Sequence, residues 1–387
     1  MKKVVFAIAF WFTIFNLSAL KILVGAEQPN TYLPLLESKN IAVLTNQTGR
    51  IGDENIVDFL HSKKIKIITI FSPEHGFRGT ADAGEKVDNS IDVKTGLSIH
   101  SLYGGNGEKS MDSIIQKIDV LVFDLQDVGL RYYTYLTTLV HAMNMCAIHN
   151  KKIIVLDRPN PNGFYVDGPI LDMKYKSGVG ILPIPVVHGM TLGELALMTN
   201  GEKWLKNGAK CDLTVVPCLN YTHKMRYILP VPPSPNLPNM RSVYLYPSLC
   251  YFEATQVSLG RGTDAPFQQF GNPLMTGYSY SFTPRSVSGA KNPPQLNQIC
   301  FGVNLQKEPT NKELFKKGVD LSYLIEAYQN MKIGDAFFTP FFEKLIGVDY
   351  VRKMIVEGKS ASEIKSSWKN DVKKFKIKRK PYLLYPE

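Results

Sequence analysis

Cysteine is scarce in this 387-residue chain: Cys146, Cys211, Cys218, Cys250 and Cys300 make five, an odd number without regular spacing. That argues against a disulfide framework or a zinc-binding module, and small core positions suit these residues better. A dinucleotide fingerprint is missing too. Glycines at G-x-G-x-x-G spacing let a backbone approach a pyrophosphate, but the turn after the first strand-like run reads TNQTGRIGDEN. Neither GGNG at Gly104 nor GRGT at Gly260 opens a helix after a strand, and no P-loop lysine is present. Without a G-x-S-x-G elbow, Ser72 and Ser234 are nominal nucleophiles with no motif around them. A metal site would have to gather His75, Asp124, Asp127 and His188, which lack ligand spacing. Neither metal nor cofactor is expected.

What is present reads as a globular protein. With 44% hydrophobic and 20% charged residues, disorder and fibrous classes are out, and the length favours two domains. The opening MKKVVFAIAFWFTIFNLSAL has the lysines and apolar stretch of a secretory signal peptide, expected to be removed after Ala26. The expected location is periplasmic or secreted, with no stable membrane anchor left. Removal takes Lys2, Lys3 and Lys21 and no acid, lowering the formal net charge from +11 to +8. Such an excess favours acidic partners, cell-wall polymers or membrane surfaces, and no nucleic acid partner is expected. The densest basic block, KKFKIKRK at Lys373 to Lys380, alternates apolar and basic residues and reads as a strand with one solvated face.

Four segments share one grammar: NIAVLTNQT (40–48), KIKIITIFSPEH (64–75), IDVLVFDLQD (118–127) and KIIVLDRPN (152–160). Each is an apolar run ending in side chains that hydrogen-bond or ionise. Helical patterns at Ile56 to Lys63, Ser110 to Lys117 and Tyr133 to Asn150 separate them. Alternating β and α units imply an α/β fold, a doubly wound, mainly parallel sheet with helices on both faces. Its strand ends gather the polar tails along one edge, where ligands bind in such sheets. A further unit follows, with PIPVVHG ending a strand, a helix that Thr191 caps with Glu194, and the strand CDLTVVPC. The proline-rich ILPVPPSPNLPNM then leaves no room for regular structure. We therefore expect a signal peptide at 1–26, an N-terminal domain at 27–229 and a C-terminal domain at 230–387, with helices at Gly347 to Glu357 and Ser360 to Phe375.

The residues left for chemistry are carboxylates among arginines, amides and tyrosines, including Glu74, Asp124, Asp127, Asp157, Glu253 and Asp264. Amides and acids grip sugar hydroxyls, and glycosidic cleavage commonly needs a proton donor with a second carboxylate or an internal nucleophile. On these grounds a sugar hydrolase is favoured over an exported carbohydrate- or wall-binding protein without catalytic activity.

The motifs FSPEHGFRG, DLQDVGLRYYTYLTTL, DRPNPNG, HGMTLGELA, PPSPNLPN and EATQVSLGRGTDAPFQQFG, in this order, resemble the exo-β-N-acetylmuramidases of peptidoglycan recycling. The resemblance runs from about Asn40 to the terminal RKPYLLYPE. It implies a Rossmann-like domain without a dinucleotide, a smaller C-terminal α+β domain, and an active site in the cleft between them. The implied reaction releases N-acetylmuramic acid from the non-reducing end of peptidoglycan-derived chains of N-acetylmuramic acid and N-acetylglucosamine. By the same resemblance Glu74 is the proton donor, His75 tunes it or binds substrate, and Glu253 is the second carboxylate, unless the sugar's acetamide serves as internal nucleophile. Where the family commonly has Glu-Gly-Thr-Asn, this chain has EATQ, so Ala254 and Gln256 depart from it. The substrate-binding candidates along these motifs are Asn46, Arg78, Asp124, Gln126, Asp127, Arg131, Tyr133, Asp157, Arg158, His188, Asn236, Arg261 and Thr263. A guanidinium can grip the lactyl carboxylate that distinguishes muramic acid, and Arg131 or Arg261 is expected to do so, with Arg78 next.

Overall fold

The structure, a computed structural model, describes residues 21–74, 76–77, 89–102 and 107–387. Its centre is a seven-stranded sheet in the order Asp212–Val216, Lys152–Leu156, Val120–Asp124, Ile41–Thr45, Ile67–Ser72, Ser98–Ser101, Ser90–Ile91. All neighbours are parallel except the last pair. Both faces are covered, which is why these strands read as continuous apolar runs. On one face Ile41, Val43, Ile70, Val122 and Ile154 pack with Tyr32 and Leu36 of the Pro29–Leu36 helix and with Ile56, Val57 and Leu60 of the Ile56–Ser62 helix. On the other, Leu44, Phe71, Leu121, Phe123 and Val155 meet Leu136, Leu139, Val140 and Met143 of the Thr134–Ile148 helix. Each fully buried side chain of this size contributes roughly 1.5–3 kcal/mol. The Leu192–Gly201 helix begins with the expected box: Thr191 Oγ1 accepts from Glu194 N at 3.2 Å, and Thr191 N donates to Glu194 Oε2 at 2.9 Å. All five cysteines are buried and free.

The residues just before the expected leader cut after Ala26 pack against the sheet. Val24, Gly25 and Ala26 are buried, Leu23 bridges Leu219, and Gly25 N donates to Asp157 O at 2.8 Å. A Cβ on Gly25 would lie 2.4 Å from Val216 O, so only glycine lets the chain pass this close to the sheet.

Beyond the prolines, Asn239 caps a helix at Met240–Leu249 by accepting from Ser242 N. A three-stranded antiparallel sheet follows, Gln269–Asn272, Cys300–Asn304 and Tyr280–Phe282 in spatial order. Helices at Asn311–Lys317, Ser322–Met331, Phe342–Ile346, Tyr350–Val356 and Ala361–Arg379 belong to this half. The basic block Lys373 to Lys380 is therefore helical, not a strand. Phe375 and Arg379, one helical turn apart, are buried, whereas Ile377, which alternation would place beside Phe375, is 69% exposed. The two halves share one core, because Leu245, Phe252, Leu324, Phe342 and Trp368 belong to the same cluster as Leu44 and Phe123. The last helix closes back on the first half, where Trp368 Nε1 donates to Asp167 Oδ1 at 3.0 Å. Tyr385 OH likewise reaches Asp157 Oδ2 at 2.5 Å.

Candidate active site

The Ile67–Ser72 strand ends where Pro73 interrupts the ladder, and Gly76 N bonds back to Pro73 O to turn the chain. Glu74 projects from this turn, half-buried, and its Oε2 accepts from Thr134 Oγ1 at 2.7 Å. Thr134 is the first residue of its helix, so the strand end and the helix start jointly fix the carboxylate. The turn that launches that helix is set by Asp127, whose Oδ1 accepts from Gly129 N at 2.5 Å. Gly129 has φ +82°, and a Cβ there would strike the Asn160 side chain, so glycine is required.

The opposite wall comes from the second half. Glu253 lies in the helical turn Cys250–Ala254, and its Oε1 accepts from Arg261 Nε at 3.1 Å and Nη2 at 2.5 Å. Cys250 Sγ donates to Glu253 Oε2 at 3.4 Å, and burial pushes that thiol well above its ordinary pKa, so it remains a donor. Arg261 also lies over the Phe267 ring, 4.9 Å from its centroid. Burial works against its charge, but Glu253 outweighs this and raises the guanidinium above its usual value. Glu74, Glu253, Arg261, Tyr133, Asn236 and Ser234 all line one cleft of about 280 Å³, at the small end of ligand sites. The proline-rich loop reaches it because Tyr133 OH and Tyr135 OH both donate to Pro233 O, at 3.0 and 3.3 Å. Asn236 is held in turn by Nδ2 donating to Gly289 O at 2.8 Å.

Other candidates lie elsewhere. Arg131 is fully buried: Nη1 donates to Pro169 O and Ile184 O, and Nη2 to Leu345 O and Ile346 O, at 2.8–3.1 Å. It ties the two halves together and is not placed to clamp a lactyl group, a correction forced by its burial away from the cleft lining, with both terminal nitrogens taken by backbone carbonyls and Nε enclosed without a partner among the described residues. Asp124 forms a buried pair with Arg158, Nε to Oδ1 at 2.5 Å and Nη2 to Oδ2 at 2.9 Å, so both are structural and not substrate-facing. Asp157 accepts from Thr191 Oγ1, Gly193 N and Tyr385 OH, which makes it a helix anchor, and burial lifts its carboxyl to about 6. His188 is a core histidine: burial lowers it to about 3, and its Nδ1 accepts from Met190 N. Asn46 braces Tyr135 OH from behind, at 2.6 Å. Gln126 donates to Asp127 O and Pro159 O. Thr263 closes its own turn through Gly260 O and receives Gln269 Nε2. Asp127 sits beneath the site, its carboxyl raised to about 7 by burial against the pull of backbone donors. None of these nine residues lines the cleft. His75 and Arg78 lie outside the described residues. Among the described residues no three metal-binding side chains cluster.

The cleft also contains Thr134, Tyr132, Tyr246, Val179 and Phe341, which sequence reasoning missed. The aromatic run in RYYTYLTT was a signal for the first two, whereas nothing around Phe341 marks it.

Two sequence profiles match this chain: exo-beta-N-acetylmuramidase NamZ, N-terminal, over residues 41–241, and its C-terminal counterpart over residues 244–385. The chain is 37% identical over 375 residues to the peptidoglycan beta-N-acetylmuramidase NamZ of Bacillus subtilis strain 168, covering 92% of this chain and 89% of that protein. Two crystal structures of DUF1343 family proteins from Bacteroides fragilis NCTC 9343 superpose on it. One is 58% identical with a TM-score of 0.88 and covers 95% of this chain and 100% of the other. The second is 28% identical with a TM-score of 0.79 and covers 94% and 99%.

Proposed function

The chain belongs to the exo-β-N-acetylmuramidase NamZ family, and from that premise we propose how its cleft hydrolyses a terminal β-linked N-acetylmuramic acid of peptidoglycan-derived chains. It is a glycoside hydrolase. The observation that carries the reading is the convergence of Glu74 from one half and the Glu253–Arg261 pair from the other on a single cleft. Glu74 gives its proton to the glycosidic oxygen as the C1–O bond breaks, and water then adds to C1 and loses a proton. Glu253 supplies the fixed negative charge that stabilises positive charge developing at C1. Arg261 remains the candidate for the lactyl carboxylate, since it is the cation in the cleft among the described lining residues.

Export is part of this proposal, supported by the lysine-led apolar leader. The buried contacts of residues 23–26 support cleavage upstream of Lys21. Among the described residues no helix is long and apolar enough to cross a membrane.

The test is release of free N-acetylmuramic acid from digested peptidoglycan glycan chains, followed by mass detection. Glu74→Gln is expected to stay folded and lose roughly two or more orders of magnitude in turnover. Saturable binding by the native protein without release would replace the hydrolase with a binding protein.

A further inference from the structure

A second cavity abuts the first. It has a volume of about 420 Å³ and shares Thr134, Val179 and Phe341 with the cleft. Thr134 is the residue that holds Glu74, so the acid, which lines the cleft, is bonded to the wall that the two spaces share. A general acid in glycoside cleavage must reach the oxygen that joins the two sugars, and that oxygen lies between the glycone and aglycone sites. We propose that this cavity is the aglycone subsite, receiving the N-acetylglucosamine on the leaving side of the scissile bond. The inference rests on the hydrolase reading above.

The chemistry of the walls assigns the two spaces. The smaller cleft holds the second carboxylate and Arg261, whose side chain is only 16% exposed, the environment an acidic sugar requires. The larger cavity is walled by Leu102, Met111 and Val179, with hydroxyls from Thr137 and Thr138 and the imidazole of His141. Apolar walls with a few polar groups suit a neutral N-acetylated sugar. Lys344 also borders it but is exposed, so its ammonium remains hydrated and is a poor anchor for a carboxylate. Phe341, 39% exposed, lies at the junction, where a ring can cover the face of a sugar entering either side.

Gly178 gives a direct test. A Cβ there meets nothing within 4 Å, so Gly178→Trp fills the cavity without a clash at its root. Thr137 bonds to the Gly178 carbonyl, a contact the substitution leaves intact. Two substrates are compared: the disaccharide of N-acetylmuramic acid β-linked to N-acetylglucosamine, and N-acetylmuramyl β-fluoride. In the second the C1–F bond breaks, fluoride departs without an aglycone, and water adds to C1. The expected result is a fall of tenfold or more in the ratio of kcat/KM on the disaccharide to kcat/KM on the fluoride. His141→Ala is the milder second variant, with a ratio lowered about threefold and weaker inhibition by free N-acetylglucosamine. Equal losses on both substrates would assign the cavity to the glycone, and an unchanged ratio in both folded variants would remove it from the reaction. Native enzyme inactive on both substrates would instead overturn the hydrolase reading, and this inference with it.

Discussion

Replacing Arg131 with Met removes a guanidinium that spans the two halves while nearly preserving side-chain volume. Its hydrogen bonds end on Pro169 O, Ile184 O, Leu345 O and Ile346 O. Burial lowers its pKa to about 10, still high enough to keep the charge at neutral pH. Ile184 O retains Leu171 N at 3.2 Å, so the carbonyls at risk are those of Pro169, Leu345 and Ile346. An orphaned buried acceptor costs about 1–3 kcal/mol, and relaxation recovers part of this, so the expected loss is about 3–5 kcal/mol. Total stabilities run at about 5–15 kcal/mol, which makes the effect large. Gly347 reports on the same contact: its φ is +83°, and a Cβ would lie 2.6 Å from Arg131 Nη2. Urea titration should show a lower midpoint with an unchanged slope. The folded fraction should discriminate between substrates with and without the lactyl group as the native protein does. A variant with native stability and lost lactyl selectivity would refute the structural role and return Arg131 to the site.

The remaining predictions concern Arg261, Asp127 and the N-terminus. Arg261→Lys is expected to lower kcat/KM on lactyl-bearing substrates at least tenfold more than on lactyl-free ones; an equal loss would make Arg261 only the structural partner of Glu253. The Asp127 carboxyl, near 7 when folded, lies above its unfolded value, so the folded state binds more protons between about pH 4 and 7, and stability falls as pH rises through that window. At about 1.4 kcal/mol per pH unit, this amounts to at most about 4 kcal/mol. Asp127→Asn should flatten urea midpoints between pH 5 and 8, leaving the smaller slope due to Asp157; an unchanged slope would show that Asp127 does not carry it. Terminal sequencing of exported protein should find a start at or before Lys21, and a start at Glu27 would contradict the packing of Val24 to Ala26.

The strands were legible because burial on both faces writes continuous apolar runs, and the Thr191–Glu194 cap because its spacing encodes its hydrogen bonds. Lys373 to Lys380 misled because Phe375, Ile377 and Arg379 share a face at the strand period of two, whereas at helical spacing only Phe375 and Arg379 do. Polar tails at strand ends were visible, but not which tail faces the cleft. Val120–Asp124 and Ile67–Ser72 both lie third from an edge of the sheet, but Arg158 from the neighbouring strand end claims the aspartate of the first, whereas Glu74 stands on the turn after Pro73 and accepts from the helix-start hydroxyl of Thr134. Sequence position alone does not distinguish those two environments.

The spacing between the two acids follows from packing on both sides of the cleft. Glu74 is fixed through Thr134 to a helix whose apolar face is built into the main core, and the turn carrying Glu253 follows a helix buried in that same cluster. Such interiors are close-packed, so a shift of either wall would require repacking of shared side chains. The proline-rich loop adds a third connection, because Tyr133 and Tyr135 bind Pro233 O from the first half while Asn236 is tied to Gly289 in the second. Prolines limit the conformations this loop can adopt before folding, which lowers the entropy lost in placing it. The cleft therefore depends on residues remote from the chemistry, and Arg131, Trp368 and Pro233 act on catalysis by holding its two walls in register.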